Sequence, residues 1–216
     1  MRKLGPKSRA SEKTEARGRH RRGPLTGRFV SSKAPAPVIW YSRLELDFLR
    51  VMEVNPEVTT ITRGKDLPAS ADKPAHRSAP NFEVRLSGHD ALVAIESRRF
   101  PSRDCPGCRA IAEHAQAESR AFYFLDRAEI RRQPRLENAT RILCARGIAP
   151  SPSFLELVRL RWGTGPFALA DLDLAPREMP SAQREIFAMW LAGHLACDID
   201  LPITQHTKFF PIETRR

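Results

Sequence analysis

Pro80-Asn81-Phe82-Glu83-Val84-Arg85-Leu86-Ser87-Gly88-His89-Asp90-Ala91-Leu92-Val93-Ala94-Ile95-Glu96 holds two different kinds of strand around one turn. Phe82 to Leu86 alternates apolar and polar side chains, the period of a strand with one face buried. Ser87-Gly88-His89-Asp90 carries the small and polar residues of a turn. Ala91 to Ile95 is continuously apolar, so it reads as a strand buried on both faces, which needs helices above and below the sheet. A strand of that kind places the chain in the α/β class.

The flanking sequence supplies those helices. Val38 to Tyr41 reads as a short extended lead-in, and Ser42 starts a helix with Leu44, Phe48, Val51 and Met52 on one stripe. Asn55-Pro56 ends it, because the residue before proline is pushed away from helical angles. Val58 to Ile61 reads as a strand and residues 63–79 as a polar, proline-containing loop. Residues 106–119 suit a helix, Phe122 to Leu125 a strand, and Asp126 an N-cap. From Pro134 the pattern changes to helices, over about 134–146, 153–162, 167–174 and 180–193. Leu195 to Ile199 and His206 to Phe210 read as a closing hairpin, so three short helices and a hairpin suggest a winged-helix arrangement. The expected organisation is a basic, disordered arm over 1–33, an α/β domain over 34–134 and a mostly helical domain over 135–216.

The net charge of +11 is unevenly placed. Residues 2–33 contain eleven Lys and Arg against Glu12 and Glu15, leaving the remaining chain with a net charge of only +2. A basic arm with few apolar residues cannot offset the entropy of ordering itself. Its cations, Arg17, Arg19, Arg21, Arg22, Arg28 and Lys33 among them, are expected to track nucleic-acid phosphates. No run of about 18 apolar residues exists, so no membrane partner is expected. The N-terminal segment lacks an apolar signal region and the four cysteines form no disulfide framework, so we expect a cytoplasmic protein.

Three positions in the α/β half carry candidate chemistry: Glu45 on the first helix, Asn81 entering one strand and Glu96 ending the next. Converging carboxylates on a helix and two adjacent strands are what Mg²⁺ needs, since it takes hard oxygen ligands. The metal would lower the pKa of a bound water and stabilise charge on a phosphate under attack. Arg98, two residues beyond Glu96, projects from the same strand face.

These residues lie in a recognisable order. Tyr41-Ser42-Arg43-Leu44-Glu45-Leu46-Asp47-Phe48-Leu49 followed by Asn55-Pro56-Glu57-Val58 resembles the opening of TnsA-type endonucleases, subunits of heteromeric transposases. Pro80-Asn81-Phe82 stands where that family has Pro-Asp-Phe, and Ile95-Glu96-Ser97-Arg98 where it has acid-x-Lys. Pro134 to Asn138, Met189-Trp190-Leu191 and His194 to Ile203 resemble its C-terminal domain, giving coverage over roughly 28–210. The resemblance implies a restriction-endonuclease-like mixed sheet flanked by helices, then a winged-helix-like domain. It implies a Mg²⁺- or Mn²⁺-dependent DNA endonuclease that cuts transposon ends beside a DDE-type transposase, with an AAA+ regulator as a further partner. Glu45, Asn81 and Glu96 would be its metal positions and Arg98 its basic catalytic position.

Two residues depart from that pattern. Asn81 offers one neutral carbonyl oxygen, and Arg98 cannot deprotonate to act as a base. Glu83, two residues beyond Asn81, is a substitute ligand by strand alternation, with Asp90 as the lesser choice. A pseudonuclease that binds DNA and the transposase is therefore a second reading, and a basic winged-helix regulator a third. Ser42-x-x-Glu45 also reads as a capping box. Cys105-Pro106-Gly107-Cys108 has the spacing of half a zinc knuckle, but Cys144 and Cys197 stand alone, and two free thiols in a loop is the simpler expectation.

Overall fold

A computed structural model of the chain describes residues 25–67, 79–163, 165–172 and 174–212. Strands β1 (Gly27–Phe29) and β2 (Val38–Trp40) form an antiparallel pair ahead of helix α1 (Arg43–Val54). The helix starts where Ser42 Oγ accepts the Glu45 N–H at 3.1 Å, and it ends at Asn55 before Pro56. Leu44, Phe48, Leu49, Val51 and Val54 are buried, so nearly the whole helix is enclosed.

The central sheet contains β3 (Val58–Arg63), β4 (Phe82–Leu86), β5 (Asp90–Ile95) and β6 (Ala121–Leu125), in that order. β3, β4 and β5 are antiparallel neighbours, while β6 runs parallel to β5 with Ala91 opposite Ala121 and Ile95 opposite Leu125. Parallel neighbours need a crossover, and α2 (Pro106–Ala117) provides it. Phe82, Val84, Val93 and Ile95 pack with Phe48 and Leu49 of α1. Leu92 and Ala94 turn the other way, onto Phe100, Cys108 and Ile111. The continuously apolar β5 is therefore covered on both faces, and the fold is an α/β arrangement with a mixed sheet flanked by helices.

After the short α3 (Arg127–Ile130), the second half comprises α4 (Arg135–Leu143), α5 (Pro152–Trp162), a 3₁₀ turn (Leu169–Leu172), α6 (Met179–Leu191), β7 (Leu195–Ala196) and β8 (Phe210–Pro211). Phe167 bridges Phe209 in antiparallel sense. Val51 and Val54 of α1 enter the core formed by Ile142, Phe167, Ile186, Trp190 and Phe209. Trp190 Nε1 also donates to Val54 O at 2.8 Å, so α1 contributes to both cores. The segment between β7 and β8 is fastened to α4. Buried Asn138 donates to Ile199 O and Leu201 O at 2.9 and 2.7 Å, and Arg135 grips Asp200 with two bonds of 2.7 and 2.6 Å.

The expected arm over 1–33 ends earlier than its charge suggests. Gly27–Phe29 pairs as β1, and Ser31 and Ser32 hydroxyls donate to the buried Glu53 carboxylate of α1. Lys33 is not a free phosphate contact, because its Nζ donates to Met52 O at 2.9 Å and to Asn55 O, the open carbonyls at the end of α1. Burial pulls its ammonium down to about 8 despite the nearby Glu53. Arg17, Arg19, Arg21 and Arg22 lie outside the described residues, as does most of the expected loop over 63–79. The helix expected over 167–174 is only the 3₁₀ turn, because Phe167 is drawn into its bridge with Phe209.

Candidate functional site

Glu45 occupies the third position of α1 and is 4% exposed. A carboxylate removed from water to this degree needs its charge balanced and its lone pairs satisfied. Both oxygens are engaged. Oε2 accepts the Tyr41 N–H at 2.7 Å and lies 3.0 Å from Arg63 Nη1. Oε1 accepts Asn81 Nδ2 at 2.6 Å and Arg63 Nη2 at 3.2 Å. The sequence expectation of a capping box is met in part: Ser42 caps the helix, but the Glu45 side chain takes the N–H one residue earlier.

Asn81 is held in one orientation by its own bonds. Its Oδ1 accepts the Ile95 N–H at 2.7 Å, so the amide nitrogen must face Glu45. Its backbone N–H donates to Val93 O at 2.8 Å, and its carbonyl accepts the Gly64 N–H at 3.2 Å. A Cβ on Gly64 would lie 2.2 Å from Pro80 O, so only glycine permits this approach of the β3 end to the β4 start. Arg63, at that β3 end, also lies 4.8 Å from the Tyr41 ring centre and 5.0 Å from that of Phe82. Aromatic faces favour a partly desolvated guanidinium, so Arg63 is fixed as the counter-charge of Glu45.

Arg63 is the residue the sequence reading missed. The sequence places it at the start of a polar loop, whereas it is the last residue of β3, two beyond buried Ile61, and faces α1 with it. A register irregularity between Val58 and Thr60 resets the alternation, which obscures the pattern in sequence.

Glu96 is not joined to this pair by any bond described. It is exposed, and its Oε2 accepts the Arg127 N–H at 2.9 Å at the start of α3. Arg98 is exposed on the connection to α2. Glu83 takes the opposite sheet face. It stands across from Leu92, bonds Arg120 at 2.9 Å and accepts the Lys65 N–H at 3.3 Å. Asn81 escapes the alternation that links it to Glu83 because it sits on a bend before β4 begins. Asp90 is held by Arg85 in the β4–β5 hairpin, with bonds of 2.7 and 3.0 Å. Arg28 is exposed on β1.

These residues do not fit Mg²⁺ or Mn²⁺. A divalent ion needs several oxygen ligands with free lone pairs. Here the Asn81 oxygen faces a backbone N–H, its NH₂ faces the carboxylate, and a guanidinium lies within 3.0 Å of Glu45. Among the described residues no group of three or more His, Cys, Asp or Glu is arranged to hold a metal ion. The same residues include no helix long and apolar enough to cross a membrane.

No protein-family model matches the chain, and no curated protein matches it.

Proposed function

We propose that the chain is a DNA-binding, nuclease-fold subunit of a TnsA-like transposition assembly, with strand cutting left to a DDE-type transposase. The observation that carries this reading is the Arg63–Glu45–Asn81 cluster, in which a guanidinium takes the place a cation would need. The order helix, three antiparallel strands, crossover helix and parallel strand supports a restriction-endonuclease-like domain. DNA contact is assigned to the basic N-terminal segment and to exposed cations of the body. Arg98 and Arg127 are both exposed, and Glu96 links their segments through its bond to the Arg127 N–H. An AAA+ regulator remains a partner to test by co-purification.

The succession α5, Phe167, 3₁₀ turn, α6, β7 and β8 supports a winged-helix-like second domain. Two features speak against its reading bases in the groove by itself. Ile186 to Trp190 of α6 are all buried, and Arg184 is that helix's only cationic residue. The β7–β8 segment is fastened to α4 through Asn138, Arg135 and Arg141 instead of projecting toward a partner. A regulator acting through α6 is the weaker reading.

Supercoiled and transposon-end DNA incubated with Mg²⁺ or Mn²⁺, alone and with the partner transposase, tests the proposal. The expected result is salt-dependent DNA binding without cleavage by this chain. Metal-dependent cleavage that disappears in Glu96→Ala would overturn it in favour of an active endonuclease.

A further inference from the structure

Two of the four cysteines begin α2. Cys105 is its N-cap, Pro106 occupies the first helical position, where no N–H is needed, and Cys108 is the third residue. Cys105 Sγ accepts the Cys108 N–H at 3.4 Å, a role ordinarily filled by a side-chain oxygen. Cys108 is fully enclosed with Phe100, Ile111 and Ala115, whereas Cys105 retains 9% exposure. A Cβ on Gly107, between them, would lie 3.0 Å from the Phe100 ring, so the start of the helix packs closely on Phe100. The two cysteines therefore sit together at one end of a 12-residue helix, both buried, with Cys105 nearer to solvent than Cys108.

Their thiols are correspondingly unlike. Burial alone would raise the Cys105 thiol, but hydrogen bonds from Cys108 and from neighbouring N–H groups outweigh it and hold the thiol below its ordinary value. Burial, reinforced by the bond to Cys105, pushes Cys108 up to about 12. A thiol whose anion accepts N–H donors at a helix N-terminus, beside a second and more deeply buried thiol, is an arrangement suited to disulfide exchange. A metal is poorly served here, because no third ligand joins the pair among the described residues.

We infer that Cys105 and Cys108 form a reversible dithiol–disulfide pair that exchanges with small-molecule disulfides. The Cys105 thiolate attacks one sulfur of oxidised glutathione, the glutathione S–S bond breaks, and one glutathione thiolate leaves with the electron pair. Cys108 then gives its proton to solvent and attacks Cys105 Sγ, forming the protein disulfide and releasing the second glutathione. The protein loses two electrons and one glutathione disulfide becomes two thiols. The inference stands independently of the transposition reading, because it uses none of the residues around Glu45.

The test is equilibration of the full chain in reduced and oxidised glutathione mixtures at pH 7, acid quench, alkylation and peptide mass mapping. The expected product is one internal Cys105–Cys108 disulfide, 2 Da lighter than the dithiol, that reverts fully with excess reduced glutathione. Cys108→Ser should halt the reaction with one glutathione on Cys105, and Cys108→Ala serves if the serine variant loses its folded circular dichroism spectrum. Cys105→Ser should leave Cys108 unmodified. The inference is overturned if both thiols stay free in excess oxidised glutathione while the exposed Cys144 is glutathionylated. A disulfide from either cysteine to Cys144 or Cys197 overturns it equally.

Discussion

Replacing Asn81 by aspartate changes one NH₂ to an oxygen and asks whether the cluster around Glu45 is balanced as described. The amide now donates to Glu45 Oε1 at 2.6 Å in a buried setting. Losing a hydrogen bond to a charged acceptor costs about 1.5–3 kcal/mol. Two carboxylate oxygens at the same separation would repel by roughly 6 kcal/mol at an effective dielectric of 20, an upper limit that relaxation and Arg63 reduce. We expect Asn81→Asp to lose about 3 kcal/mol of folding stability at pH 8 in metal-free buffer. The pair would share one proton, raising its upper pKa in the folded state above the unfolded carboxyl value near 4. Stability tied to a raised pKa is present at low pH and disappears as pH rises through the folded value, so the deficit should shrink toward pH 5. Urea denaturation of wild type and variant at pH 5 and 8 measures both effects. A deficit below about 1 kcal/mol at pH 8, or one independent of pH, would refute the balance of charge assigned to Arg63, Glu45 and Asn81.

Other elements make independent predictions. Lys33 is pulled down to about 8 by burial, so between pH 8 and the unfolded value near 10.5 the unfolded chain binds more protons. Stability should therefore rise with pH across that window, and urea titrations should show the rise vanishing in Lys33→Met. Asn138→Ala removes the donor to Ile199 O and Leu201 O from a site only 1% exposed. It should cost about 2–4 kcal/mol in chemical denaturation, with partial compensation only if water enters. Deleting residues 1–24, which carry nine Lys and Arg against two Glu, should flatten the dependence of DNA affinity on salt. Each lost phosphate contact lowers the logarithmic slope by about 0.9, and a fluorescence anisotropy series at several salt concentrations reads it directly.

Local signals carried much of the fold. Ser42 and Asn55-Pro56 bound α1 as their cap and stop chemistry requires, and the two patterns on either side of Gly88 become β4 and β5. What was not legible depends on contacts between distant segments. β1 hides in a basic stretch because its partner is β2 and its anchor is Glu53, 21 and 22 residues beyond Ser32 and Ser31. The 3₁₀ turn replaces a full helix because Phe167 answers to Phe209 rather than to its neighbours. At the candidate site, the approach of Glu45 and Asn81 follows from a helix packed over the β4 start. The guanidinium beside Glu45 does not, since a register irregularity precedes Arg63 in β3. The separation of Glu83 from Asn81 has the same kind of cause: alternation holds within β4 and fails at the bend before it.

The claim that a guanidinium, not a divalent ion, neutralises Glu45 is tested most directly by counting free Mn²⁺. Electron paramagnetic resonance of Mn²⁺ titrated into the wild-type chain should show the full signal of the free aquo ion at every step. Loss of one equivalent of that signal in wild type, restored in Glu45→Gln, would contradict the account.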